Sequence, residues 1–125
     1  MPLERLHHVL VLTDDLEATR TFYEALGLEV GDRPPLEFSG YWLYLDSVPC
    51  LHIAERAAYE AHASTLGLRV DEALDHVAFA AADYDELAAS LKTAGVDAVT
   101  NRPPGLRQLF LTDPNGVRVE VNIPD

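Results

Sequence analysis

The sequence predicts an α+β protein made of two βαβββ modules in tandem, each carrying a curved mixed sheet. Three observations carry that reading. One constant shift in numbering places His8 on His76, Asp15 on Asp83, Gly27 on Gly95 and His52 on Glu120, the mark of an internal duplication. Each copy opens with a short apolar stretch, then an Asp cap and a helically spaced segment that stops at Gly. Each copy ends in two strand-like runs around turn residues.

The elements follow in order. Leu6 to Leu12 is short, apolar and partly β-branched, which suits a strand. Asp14 and Asp15 offer an N-cap, with Glu17 three residues after Asp14 as its capping-box partner. Leu16, Thr19, Tyr23 and Leu26 form one helix face, and Gly27 supplies the stop before a short strand, Leu28 to Val30. Pro34 and Pro35 interrupt the chain ahead of a strand from Gly40 to Leu45, and Asp46 to Pro49 turn it into Leu51 to Ala54. In the second copy Leu74 to Ala81 reads as strand, and Asp83 as N-cap with Glu86 as its partner. Leu87, Leu91 and Ala94 form the helix face, Gly95 the stop and Val96 to Val99 a strand. Leu106 to Leu111 and Val117 to Ile123 then make a hairpin around Asp113-Pro114-Asn115-Gly116. The 125 residues thus read as one domain, with module one at about 4–54, a partly helical Ala- and Glu-rich connector at 55–73 and module two at about 74–123. Halves this small share a core or pair with a second chain.

Composition narrows the partners. The formal charge of -12, with no basic cluster, repels a phosphate backbone and an anionic membrane. No apolar run approaches the ~18 residues of a membrane span, and the N-terminus lacks a signal-peptide layout, so the expected location is the cytoplasm. Cys50 is the only cysteine and reads as a small strand residue.

Strand alternation puts His8 on one face with Leu6, Leu10 and Leu12, and His7 on the other with Val9 and Val11. His76 shares a face with Ala78 and Ala80, and Glu120 with Arg118 and Asn122. If the sheets curl so that the first and last strands of each module lie side by side, His8, His52, His76 and Glu120 converge. Three imidazoles and a carboxylate suit a borderline divalent ion: Fe, Ni, Co, Zn or Mn. His7 is the alternative to His8 if the register slips by one, and His62 reads as a solvated connector residue.

The stretches His8-Val9, Asp15-Leu16, Phe22 to Leu28 and Leu51-His52-Ile53 in the first half recur in kind as Leu74 to Phe79 and Asp113 to Glu120 in the second. Together they resemble the vicinal oxygen chelate superfamily, which includes glyoxalases, extradiol dioxygenases and bleomycin and fosfomycin resistance proteins. The resemblance implies paired βαβββ modules around a metal cleft. It matches His8 to the first-strand ligand, His76 to its counterpart and Glu120 to the last-strand glutamate. His52 falls where metal-chelating glyoxalases of bacteria carry a carboxylate.

The resulting expectation is a divalent-metal enzyme acting on a small molecule with adjacent oxygen donors: a glyoxalase-like lyase or isomerase in which Glu120 moves the proton. Two alternatives stand beside it. His8, His76 and Glu120 also form the two-histidine, one-carboxylate triad of an Fe(II) dioxygenase, and the fold also serves non-catalytic drug binding. Trp42, Tyr44, Gln108 and Phe110 are candidate pocket walls. Arg107, with Arg102, flanks Pro103-Pro104-Gly105 as a candidate clamp for a substrate anion. A curved sheet with an open edge and an apolar face further predicts a homodimer.

Overall fold

The computed structural model describes residues 5–68, 70, 74 and 76–125. Glu4, at the expected start of module one, lies outside them, as do Arg69 and Asp71 to Ala73 of the connector and Asp75 of the second module's opening strand. The chain runs β1 (Val9–Thr13), α1 (Leu16–Ala25), β2 (Glu29–Gly31), β3 (Gly40–Leu45), β4 (Val48–Glu55), α2 (Arg56–Thr65), β5 (His76–Ala80), α3 (Tyr84–Ala94), β6 (Val99–Asn101), β7 (Leu106–Thr112) and β8 (Arg118–Pro124). These form two βαβββ modules, with α2 in the connector between them. No helix among the described residues is long and apolar enough to cross a membrane.

Each module folds into a four-stranded sheet, in the orders β1-β4-β3-β2 and β5-β8-β7-β6. The outer strand of each pair β1/β4 and β5/β8 runs parallel to its partner, and the remaining pairs are antiparallel. The duplication holds at the level of register: Leu10 pairs with His52 and, at the equivalent positions of the second copy, Ala78 pairs with Glu120. Trp42 likewise faces His52 across the next strand as Phe110 faces Glu120.

Local chemistry sets the element ends. Asp15 alone caps α1, its carboxylate accepting from the Ala18 N–H at 3.0 Å. That moves the capping position one residue past Asp14, so Glu17 does not close a capping box; it takes Arg20 and the Tyr41 hydroxyl instead. Asp83 caps α3 through the Glu86 N–H at 3.1 Å, as expected, and Gly95 ends the helix in the left-handed conformation at φ 70°. The turn between β3 and β4 is tighter than the sequence suggests. Asp46 and Ser47 both adopt positive φ, 48° and 67°, so two residues suffice and Val48 and Pro49 join the strand.

The inward faces of both sheets and the helices α1 and α3 bury one apolar cluster, with Phe22, Leu43, Leu51 and Ile53 from module one and Leu87, Leu109, Leu111 and Val119 from module two. Each such side chain contributes roughly 1.5–3 kcal/mol by leaving water. A polar contact inside this cluster joins the two modules: the Tyr23 hydroxyl donates to Asp113 Oδ2 at 2.9 Å. Burial, reinforced by the neighbouring Asp113, pushes the Tyr23 hydroxyl far above the ordinary phenol range, so it serves as a donor throughout the working pH range. Asp113 Oδ1 accepts from the N–H groups of Asn115 and Val117 at 2.8 and 2.9 Å, which shapes the β7–β8 turn. The Asn115 amide donates in turn to Thr19 Oγ1 at 2.9 Å on α1, and the Ser90 hydroxyl of α3 donates to the Ala25 carbonyl.

Replacing Tyr23 by Phe keeps the ring and removes the donor to a buried carboxylate. The expected loss is about 1.5–3 kcal/mol of stability, read from denaturant midpoints at unchanged slope. A change within about 0.5 kcal/mol would show that the turn amides alone satisfy Asp113.

Candidate metal and ligand site

On the face of the first sheet turned away from the apolar cluster, Leu10, His52, Trp42 and Gly31 form one cross-strand row. His52 is 8% exposed. Its ring is sandwiched, with Trp42 at 4.2 Å and 8° on one side and His8 at 3.9 Å and 14° on the other. Its Nε2 stands 3.1 Å from the Pro49 carbonyl, which only accepts, so the neutral ring carries its proton on Nε2 and its lone pair on Nδ1. The tight β3–β4 turn, by drawing Pro49 into β4, places that carbonyl. His8 lies exposed just ahead of β1, with its Nδ1 3.0 Å from Nδ1 of His7. Trp42 and Tyr44 share this face, as the alternation predicts. Tyr44 is pinned at its edge, where the hydroxyl donates to the Asp32 carbonyl and the ring fills the space over Gly31; a Cβ there would come within 2.6 Å of the ring.

The corresponding row of the second sheet is Ala78, Glu120, Phe110 and Val99. His76 Nε2 lies 3.8 Å from Glu120 Oε1, and the carboxylate side chain is 16% exposed against 42% for the imidazole. The other carboxylate oxygen accepts from the Asn122 amide at 2.8 Å. Gln108 and Phe110 stand on this face, but Arg107 does not: it pairs with core residue Ile123, and its guanidinium stacks 4.0 Å over the Tyr84 ring of α3. Strand alternation separates it from Gln108. The expected anion clamp is therefore replaced by internal contacts, since Arg102 makes a two-pronged ion pair with Asp125 at 2.9 Å. His62, on α2, rests 5.2 Å from the Phe38 ring.

The four candidate ligands are thus brought together two by two, His8 with His52 and His76 with Glu120. No three His, Cys, Asp or Glu side chains gather closely enough to hold an ion among the described residues. The pairs differ in fitness for a metal. With metal–N and metal–O bonds of roughly 2.0–2.2 Å, donors 3.8 Å apart can share one ion, so His76 and Glu120 fit as they stand. The stacked rings of His8 and His52 hold their lone pairs in nearly parallel planes, which do not meet at a point. Of the two rings, His8 is exposed and His52 is covered by its stacking partners. The Asn122 contact was within reach of the sequence, because alternation puts Asn122 on Glu120's face; its partner amides on neighbouring strands needed the register.

A family model described as the Glyoxalase/Bleomycin resistance protein/Dioxygenase superfamily matches residues 5–121. The chain belongs to that superfamily. Its fold is similar to that of lactoylglutathione lyase from Agrobacterium tumefaciens, at 21% identity over 98% of this chain and 96% of the other with a TM-score of 0.70. It is also similar to TnmS3, an antibiotic-binding protein from Streptomyces sp. CB03234, at 20% identity over 100% and 99% of the two chains with a TM-score of 0.73. The genomically encoded fosfomycin resistance protein FosX from Listeria monocytogenes matches at 19% identity over 98% and 95%, with a TM-score of 0.69. No protein of curated function matches the sequence.

In this superfamily chain the stack makes His52 a reluctant base. Burial first, then the neighbouring His8, hold its imidazole down at about 4; His8, exposed as a residue but covered on one ring face by His52, is lowered by that partial desolvation and by His7. The unfolded chain takes up this proton near pH ~6.5 and the folded chain near 4, so between those values the unfolded state binds more protons. Stability in protein stripped of metal therefore falls as pH drops from about 6.5 to about 4. Trp42 is the only tryptophan, and a charged imidazole in contact quenches indole emission. Its fluorescence should titrate with a midpoint about 4; a midpoint near ~6.5 would contradict the buried, stacked environment.

Proposed function

We propose that the chain is a cytoplasmic, divalent-metal-dependent enzyme acting on a small molecule with adjacent oxygen donors, as a glyoxalase-like lyase or isomerase. The observation that carries this is the His76–Glu120 pair, an imidazole and a largely shielded carboxylate 3.8 Å apart on paired strands, with the sequence position of His8 repeated at His76. His76, Glu120 and His8 would hold the ion, with His52 supporting His8 by stacking and joining only through Nδ1. Bound there, a divalent ion supplies Lewis-acid polarisation of a substrate oxygen. Glu120 takes the proton from the carbon beside that oxygen and returns it to the neighbouring one, a role suited to a carboxylate of limited solvent exposure. Trp42 and Phe110, at equivalent positions of the two sheets, wall the apolar part of the substrate.

The separation of the two pairs within one chain favours a homodimer in which module one of one copy completes module two of the other. A second chemistry is favoured by one observation. With His52 engaged by Trp42 and the Pro49 carbonyl, the remaining His8, His76 and Glu120 are a two-histidine, one-carboxylate set, which suits Fe(II) and dioxygen.

Elemental analysis of protein purified without chelator tests the reading. About one ion per chain is expected in the wild type and none in His76→Ala; iron with oxygen uptake on a catechol would select the dioxygenase chemistry. A wild type devoid of metal after incubation with Fe²⁺, Ni²⁺ and Zn²⁺ would overturn the enzyme reading in favour of ligand binding alone. Mixed dimers of a His8→Ala chain and a His76→Ala chain should regain one ion per dimer if the site spans two copies. No recovery would place each site within a single chain.

A further inference from the structure

Behind Glu120 the second sheet carries a row of amides with no counterpart in the first. Asn101 Nδ2 donates to Gln108 Oε1 at 3.0 Å, Gln108 Nε2 to Asn122 Oδ1 at 3.1 Å, and Asn122 Nδ2 to Glu120 Oε2 at 2.8 Å. All three bonds run in the same sense across β6, β7 and β8, from solvent toward the carboxylate. A carboxylate only accepts, so the terminal bond fixes which end of the Asn122 amide faces it. Gln108, by donating to Asn122 Oδ1, holds that amide against turning its oxygen toward Glu120, where two acceptors would repel.

The sheet does not need this row in order to fold. Gln108 and Asn122 are cross-strand partners, and their equivalents in the first copy, Gly40 and Ala54, are partners in the same register of module one without any polar side chain. Asn122 corresponds to Ala54 as Glu120 corresponds to His52. The amides occur in the module that carries the carboxylate, and they end on it. The opposite oxygen, Oε1, is the one turned to His76.

We propose that Asn122, oriented by Gln108 and Asn101, is a positioning residue: it occupies Oε2 of Glu120 and so presents Oε1 to the ion or substrate alongside His76. This rests on the ligand role of Glu120 given above. Pinning one oxygen removes the rotational freedom that a carboxylate would otherwise lose on binding, and hydrogen-bonded partners of metal ligands commonly tune affinity roughly 10- to 100-fold.

Two measurements test it. With Co²⁺ as the probe, Asn122→Ala, the residue module one carries at this register, should weaken binding at least about tenfold and alter the visible spectrum of the bound ion. Gln108→Leu, which touches neither ion nor carboxylate, should shift the same spectrum in the same direction by less. Co²⁺ affinities and spectra equal to wild type in both variants, with their folds intact by circular dichroism, would overturn the proposal. In metal-free protein, Glu120→Gln should move the side-chain amide resonances of Asn122 and Gln108. If these stay in place the relay does not exist, whatever the metal data show. A wild type that binds no Co²⁺ would sink the metal reading alone, and the amide resonances would then decide the relay by themselves.

Discussion

The hydrogen bond from Tyr23 to Asp113 is the constraint on which the arrangement of the two modules depends. It is the buried polar tie between α1 of the first module and the β7–β8 turn of the second, and its acceptor also gathers the backbone of that turn. A carboxylate 3% exposed is tolerable because both its oxygens accept hydrogen bonds, Oδ2 from the Tyr23 hydroxyl and Oδ1 from two turn amides. The apolar cluster around it supplies most of the driving force, which is non-directional and scales with the area buried. The Tyr23–Asp113 bond fixes where one module stops relative to the other. The shift that superposes the two copies carries Tyr23 onto Leu91 and Asp113 onto Leu45, so this fastening exists once and breaks the symmetry of the duplication.

That broken symmetry runs through the site. The first sheet offers stacked aromatic rings, with an imidazole kept neutral by its surroundings, and the second offers a carboxylate in a row of amides. One half is apolar, polarisable and poor in charge; the other is polar and directional. Under the proposed function, a small molecule held between such surfaces would meet an aromatic wall on one side and an oriented carboxylate on the other.

Much of this was legible in the residues. The repeat, the Asp caps and the glycine stops specify two modules of known order because each is a local, periodic signal. What local signals could not carry was orientation. Asp14 and Asp15 are equally good caps until the strand before them ends at Thr13, whose hydroxyl accepts from the Asp15 N–H. Arg107 looked like a clamp beside Pro103-Pro104-Gly105 until the register of β7 turned it onto Tyr84. His8 and His52 were visible as two ligand-type side chains on strands expected to lie side by side, whereas their stacking depends on ring rotation, which no spacing encodes. Asn101 and Asn122 are remote in sequence, on strands that do not pair, and are joined only through the strand between them.

Gly40 limits how this chain can be altered. A Cβ there would fall 2.2 Å from the Ile53 carbonyl oxygen, a backbone atom that cannot step aside. Since Gly40 is the register equivalent of Gln108, the amide row cannot be copied into module one by point substitution. The two halves of the duplication have diverged past a one-way gate. Redesign toward a symmetric, two-carboxylate cleft would have to rebuild the backbone of β3 first, whereas changes within module two remain open to single steps.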